Sequence, residues 1–169
     1  VEAQDGLPCA TTVDENFVAR CWEAHFFIPG NTTPNPLRYE IEVKGPILIE
    51  VFPVHDDFAV RTLGLPGMIG ALGACFGKVV TLDSPRARQP GEFNWEATLW
   101  HEMAHVITLQ MSNQRVPRWL TEGLSTFEEK RARPDWARDQ DLGFATALNE
   151  GDVLSLRELN GGFSRPETI

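Results

Sequence analysis

Two histidines four residues apart, His101 and His105, enclose Glu102 in the pattern His-Glu-x-x-His. On a helix, positions i and i+4 share a face, so both imidazoles can reach one metal ion. The glutamate between them lies close enough to that ion to handle the proton of a water. These residue types at this spacing suit zinc and hydrolytic chemistry. The plainer alternative is a buried amphipathic helix whose histidines are hydrogen-bonded core residues. The surroundings weigh against it. From Asn94 to Met111 neither Gly nor Pro interrupts the chain, Asn94 can cap, and Glu96 suits a first turn. Trp95, Leu99, Met103, Val106 and Ile107 recur at helical spacing, which predicts a largely buried helix. Two histidines and an acid in such a helix need partners, and a metal would satisfy them.

A third ligand must come from elsewhere. The metzincin pattern requires Gly at 108 and His at 111; this chain has Thr108 and Met111. A glutamate on a following helix is supplied by the run Trp119-Leu120-Thr121-Glu122-Gly123-Leu124-Ser125. Pro117 stands where that helix can begin. Glu122 then falls 17 residues after His105, enough for one helix to end, turn and return alongside. Gly123 inside a helix costs about 1 kcal/mol relative to Ala, and a close approach of the two helices is the expected reason for it. The set His101, His105 and Glu122 leaves a fourth position open for water, with Glu102 as general base.

With Trp119-Leu120-x-Glu122-Gly123 after the histidine pair, the chain resembles the gluzincins, the group of thermolysin. From Pro46 to about Arg165 it resembles more closely the bacterial peptidase MA-like domain, often attached to tetratricopeptide repeats. The resemblance rests on Ile49 to Pro53, Arg61 to Gly67, Thr98 to Glu102, Val116 to Gly123 and Leu156 to Asn160. It implies an α+β, zincin-like fold: an N-terminal mixed β-sheet packed on the His-Glu-x-x-His helix, followed by a helical C-terminal part. It implies one such domain over residues 1–169, mainly sheet and loops over 1–91 and mainly helical over 92–169. It further implies one Zn2+ per chain, a peptide or protein substrate, and an adjoining helical-repeat region in a longer protein. In gluzincins the strand before the zinc helix is the sheet edge and pairs with extended substrate. That role would fall to Lys78, Val79, Val80, Thr81 and Leu82.

The chain departs from the family pattern at three places. Ile28 to Pro36 reads as a loop and Leu37 to Val43 as a strand, where the family has a helix between strands. Gluzincins place a Tyr or His downstream to stabilise the oxyanion, but here Tyr39, His25 and His55 are all upstream. Arg115, Arg118, Arg131 or Arg133 could substitute electrostatically, or the residue lies beyond Ile169. Thermolysin-like chains also carry an acid four residues after the ligand glutamate to orient a histidine. This chain has Thr126 there, leaving Glu128 or Glu129. A second functional class therefore stands beside the peptidase: a zincin-like domain that keeps zinc for structure or binding without turnover.

The elements that must position these residues read as follows. Strands are predicted at Asn16 to Cys21, Leu37 to Val43, Ile47 to Phe52 and Lys78 to Leu82. Asp56 is expected to cap a short helix to about Leu63. Gly64 to Gly77, with Gly67, Gly70 and Gly73 at period three, reads as a turn-rich loop and lacks the lysine of a phosphate loop. Helices are predicted at Asn94 to Met111, Pro117 to Arg133 and Pro134 to Asn149, the last ended by Gly151. Trp100 and Trp119 are expected to pack the two site helices together.

At 169 residues and 42% hydrophobic, the chain can bury one core, and no apolar run approaches a membrane span. Its net charge of −9 disfavours nucleic acid and anionic membrane surfaces as partners. The bases between Arg115 and Arg138 read mainly as a solvated helix surface. Cys9, Cys21 and Cys75 contain no C-x-x-C pair, which argues against a cysteine metal site. Cys9 and Cys21 either pair, if the protein is extracytoplasmic, or remain free thiols. The start at Val1 and the loop-like end at Gly161 to Pro166 suggest a piece of a longer chain.

Overall fold

The computed structural model describes the backbone of residues 9–13 and residues 44, 46–67 and 70–163 in full. The strands predicted at Asn16 to Cys21 and Leu37 to Val43, together with Cys21, His25 and Tyr39, lie outside the described residues. The architecture is mixed α+β. Strands β1 (Cys9–Val13), β2 (Ile47–Phe52), β3 (Gly73–Phe76) and β4 (Val79–Asp83) form one sheet in the order β1-β2-β4-β3. β2 and β4 are parallel; the outer pairs are antiparallel.

Strand β2 forms where Ile-Leu-Ile-Glu-Val-Phe supplies β-branched and apolar residues of period two. Ile47 and Ile49 point to the same face as Val80 and Leu82 of β4. That face buries against Val106 and Ile107 of helix α2 (Trp95–Met111), with Val51, Cys75, Leu99 and Met103 at its margin. This is the main core, and it fastens the helix carrying the histidines to the sheet.

On the opposite face, helix α1 (His55–Phe58) continues as a π-helical turn, Ala59–Leu63, and stops at Gly64 with φ +69°. Phe58 packs edge-on against Phe52, with ring centroids 5.9 Å apart. The N-cap is Val54, without a side-chain bond. Asp56 therefore does not cap; it lies in the first turn, where its charge suits the helix dipole.

The stretch expected to be loop up to Gly77 contains β3. A two-residue connection, Gly77-Lys78, joins it to β4, with Phe76 paired to Val79. Gly77 has φ +69°, the backbone that tight hairpin loops demand and glycine accepts without strain. This changes the predicted sheet edge. β4 is bonded to β2 on one side and β3 on the other, so the Lys78–Leu82 backbone is occupied, and the outer strand on that side, among the described residues, is β3.

Helix α2 begins as expected. Asn94 Oδ1 accepts from the Ala97 N–H at 3.2 Å. Trp95, expected inside, is 40% exposed, while Trp100 takes the buried position. The chain reverses through Asn113 and Gln114, both at positive φ, into α3 (Arg118–Ala132) with Pro117 at its N-cap. Contacts between Trp100 and Glu128, His101 and Glu129, and His105 and Thr121 show that α3 runs antiparallel to α2. A 3-10 turn, Pro134–Ala137, leads to α4 (Arg138–Glu150), ended by Gly151 at φ +74°. Helix α5 (Leu156–Gly162) starts with a Ser155/Glu158 capping box. No described helix is long and apolar enough to cross a membrane.

Ile107 is 2% exposed and joins α2 to both central strands. Replacing it with Ala should destabilise the protein by about 2–5 kcal/mol through lost burial and a cavity. Denaturant titration should show a lower midpoint at unchanged slope.

Candidate metal centre

The packing of α3 against α2 brings His101, His105 and Glu122 together, with one ligand atom of each within 4.8 Å of the others. Glu122 Oε2 lies 3.2 Å from His101 Nε2 and 3.3 Å from His105 Nε2. The two imidazoles meet edge to face, with centroids 4.7 Å apart. The three residues expected to act together therefore do converge.

Each imidazole is also held at its other nitrogen. His101 Nδ1 lies 2.5 Å from Glu129 Oε1, and His105 Nδ1 lies 2.8 Å from Thr121 Oγ1. With those Nδ1–H groups donating, both Nε2 lone pairs and a carboxylate oxygen face a common point. Three acceptors without a donor repel one another unless a cation or protons stand between them. Two imidazole nitrogens and one carboxylate oxygen form a donor set that suits zinc. Of the two acids left open as orienting partners, Glu129 takes the role. It stands two helical turns after Glu122, on the same face of α3. Glu128 instead accepts Trp100 Nε1–H at its carbonyl (3.1 Å) and Arg131 at its carboxylate (3.1 Å).

The electrostatics follow from this crowding. Burial alone would lower the His101 pKa, but hydrogen bonds to Glu122 and Glu129, with the field of Glu102, push it up to about 10. Burial works to raise the Glu122 pKa, yet the neighbouring imidazoles of His101 and His105 hold the carboxyl far below the usual carboxylate range. Burial raises the Glu102 pKa; the charges of His101 and His105 oppose this, and those of Glu122 and Glu129 add to it. Burial, the field of Glu102 second, also pushes the Cys75 thiol up to about 12, which leaves it unreactive.

Gly73, on the outer strand, bears directly on Glu102. A Cβ there would come within 2.8 Å of Thr98 Cγ2 and 3.0 Å of both Glu102 Cγ and Glu102 Oε1. The bare backbone at this position lets the strand pass over the Glu102 carboxylate. Its role was not legible beyond the glycine spacing of a loop. Gly123 gives the opposite result. A Cβ there would meet nothing within 4 Å, so close helix approach does not explain it.

Of the residues expected to hold substrate, Val80 and Leu82 are core residues and Thr81 Oγ1 donates to the Ala74 carbonyl. Val79 pairs with Phe76, and Lys78 lies in the hairpin turn. Among the four arginines considered, Arg118 adjoins the cluster, with Nε 3.6 Å from Glu122 Oε1. Arg131 and Arg133 turn toward Glu128 and Asp135, and Arg115 is exposed. His55 sits 2.9 Å from the buried Asp83, with Arg88 bridging both.

Comparison of the chain with protein-family models, with curated proteins and with solved structures returned no match.

Gly73→Ala should force the strand away from Glu102 and Thr98, at a cost of about 1–3 kcal/mol as overpacking. Thermal or denaturant unfolding would measure this. A Gly123→Ala control should be neutral or stabilising, because helix propensity then acts alone.

Proposed function

We propose that this chain is a zinc metallopeptidase of gluzincin type on a zincin-like scaffold, with His101, His105 and Glu122 as the metal ligands. The observation that carries the reading is the meeting of both Nε2 atoms and the Glu122 carboxylate, with Glu102 on the same helix as the histidines. Zinc held there would supply Lewis acidity, enough to make water a usable nucleophile near neutral pH. The chain's own residues would do the rest. Glu102, buried and with its pKa raised, accepts a proton from the attacking water and returns it to the leaving amine. The strand β3, outermost among the described residues, rather than Lys78–Leu82, would take an extended peptide by strand addition. Arg118, the arginine nearest the ligands, supplies positive charge toward the oxygen that becomes negative during attack. The substrate is a peptide or protein, and the net charge of −9 disfavours nucleic acid.

A metal-holding domain without turnover is the second reading. It is favoured by the lack, among the described residues, of a Tyr or His placed for the oxyanion: the remaining described histidine, His55, is engaged with Asp83.

Protein purified without chelator should contain about one zinc per chain by elemental analysis, and Glu122→Ala should lose most of it. No zinc after metal is added back would refute the reading. Glu102→Gln then separates the two classes. A peptidase loses turnover of a diverse peptide mixture, read by mass spectrometry, while keeping its zinc. Cleavage that survives the substitution would remove Glu102 from the mechanism.

Metal binding should also be proton-linked, with a sign set by His101. Its pKa near 10 in the metal-free fold exceeds the ordinary 6.5, so a proton occupies the ligand atom throughout the neutral range. Zinc must displace it, so apparent affinity should rise about tenfold per pH unit through neutrality and level off toward pH 10. Calorimetry in buffers of different ionisation enthalpy should find about one proton released at pH 7. A pH-independent affinity would contradict the assignment.

A further inference from the structure

The hydrogen bonds around His105 form a closed ring. His105 Nδ1 lies 2.8 Å from Thr121 Oγ1, and Thr121 Oγ1 lies 2.6 Å from Thr108 Oγ1. Thr108 Oγ1 lies 3.2 Å from the carbonyl oxygen of His105 itself. All three residues are buried, at 7–8% exposure, so water does not compete for these groups.

Counting protons gives the ring a direction. A carbonyl oxygen only accepts, so the bond from Thr108 uses that hydroxyl's single proton. Thr121 must then donate to Thr108. Its own oxygen is left to accept, and the donor is His105 Nδ1–H. The imidazole is thereby the Nδ1–H tautomer, and its bare Nε2 faces Glu122 Oε2 at 3.3 Å. Helical geometry makes this economical. Thr108 is one turn after His105 on α2, facing α3. Thr121 and Glu122 are consecutive on α3, so adjacent residues hold opposite nitrogens of one ring.

We propose that Thr121 and Thr108 are positioning residues that preset His105 in the tautomer competent to bind metal, through a relay ending on His105's own carbonyl. The proposal rests on the zinc-site reading for its purpose, but the relay exists in the metal-free fold and can be tested there. Thr108→Val keeps the shape and removes the terminal hydroxyl. Thr121 then loses its acceptor on Thr108 and is freed to donate to the imidazole nitrogen Nδ1, which favours the opposite, Nε2–H tautomer. Thr108→Ser restores the hydroxyl.

The experiment is nitrogen-15 NMR of ring-labelled histidines in chelated full-length protein at fixed pH, with His105 assigned by its loss in His105→Asn. Zinc titration of the same variants accompanies it. The expected wild-type signal is Nδ1 protonated and Nε2 bare. Thr108→Val should move it toward the opposite pattern and weaken zinc binding about tenfold or more, as loss of a ligand-orienting partner does. Thr108→Ser should recover both. Wild-type His105 found as the Nε2–H tautomer overturns the proposal without any variant, so poor folding of Thr108→Val cannot protect it. Thr108→Val that lowers stability but leaves tautomer and affinity unchanged also overturns it. A tautomer that responds as expected in a protein that takes up no zinc would support the relay and remove the peptidase reading, which keeps the two failures apart.

Discussion

The register of α3 against α2 is the constraint on which the site depends. All four ring nitrogens of His101 and His105 face partners on α3: Glu129 and Glu122 for one ring, Thr121 and Glu122 for the other. Trp100, the residue before His101, reaches the Glu128 carbonyl. A shift of one residue along α3 moves each partner by about 1.5 Å and rotates it by roughly 100°, enough to lose every one of these contacts together. Buried polar groups that are satisfied in only one alignment penalise the alternatives heavily, so they specify the register even where apolar contacts would tolerate a slip. Core packing from Val106 and Ile107 fastens α2 to the sheet; the polar seam on its other side decides where α3 sits.

The sheet contributes a second, steric constraint. β3 crosses α2 near Glu102, and the clearance at Gly73 sets how close the strand can come. The same strand is the open edge of the sheet among the described residues. Glu102, which the proposed ligand set leaves out, is thus placed beneath the strand that is outermost among the described residues. General acid–base work needs a carboxyl that is buried enough to hold a proton and near enough to the reacting bond to pass it on. Burial of Glu102 meets the first requirement, and the neighbouring edge strand offers a way to meet the second.

The helical half of the site was legible because its signals are periodic and punctuated. Asn94, Pro117 and Gly151 mark helix ends by chemistry that acts locally, and two histidines at i and i+4 declare a shared face. The sheet was harder to read. Gly73-Ala74-Cys75-Phe76 is short, begins with glycine and lies in a glycine-spaced run, so β3 looked like loop; its strand character comes from pairing with Val79 to Leu82. The family resemblance puts the sheet edge at Lys78–Leu82, whereas β3 lies outside β4 among the described residues. Glu129 was one of two acids that could orient a histidine. Two turns of helix separate it from Glu122, while Glu128 is rotated by one residue toward Trp100 and Arg131. Thr108 and Thr121 carried no sequence signal at all, because threonine in a helix is unremarkable until its partner across the interface is known. Gly123 was read as a packing glycine, and nothing in the structure accounts for it.

The distribution of charge links the site's structure to its chemistry. Glu102 and Glu129 are buried, Glu122 is partly so, and all three crowd two imidazoles. Arg118 approaches from the side but is itself largely exposed, so solvent screens most of its effect. Carboxylates gathered at this density in a desolvated place need positive charge, and the fold can obtain it in two ways. It can retain protons, which is what the raised pKa values of His101 and Glu102 express. Alternatively it can take a cation at the point where Nε2, Nε2 and Oε2 meet. Protons and cation are alternative occupants of one electrostatic well, and the ligand atoms are the same in both. A cation that displaces the His101 proton also removes the competition for Glu122, freeing that carboxylate to ligate. What remains outside the proposed ligand set is Glu102, still buried beside it, the acid that the peptidase reading would use as proton acceptor.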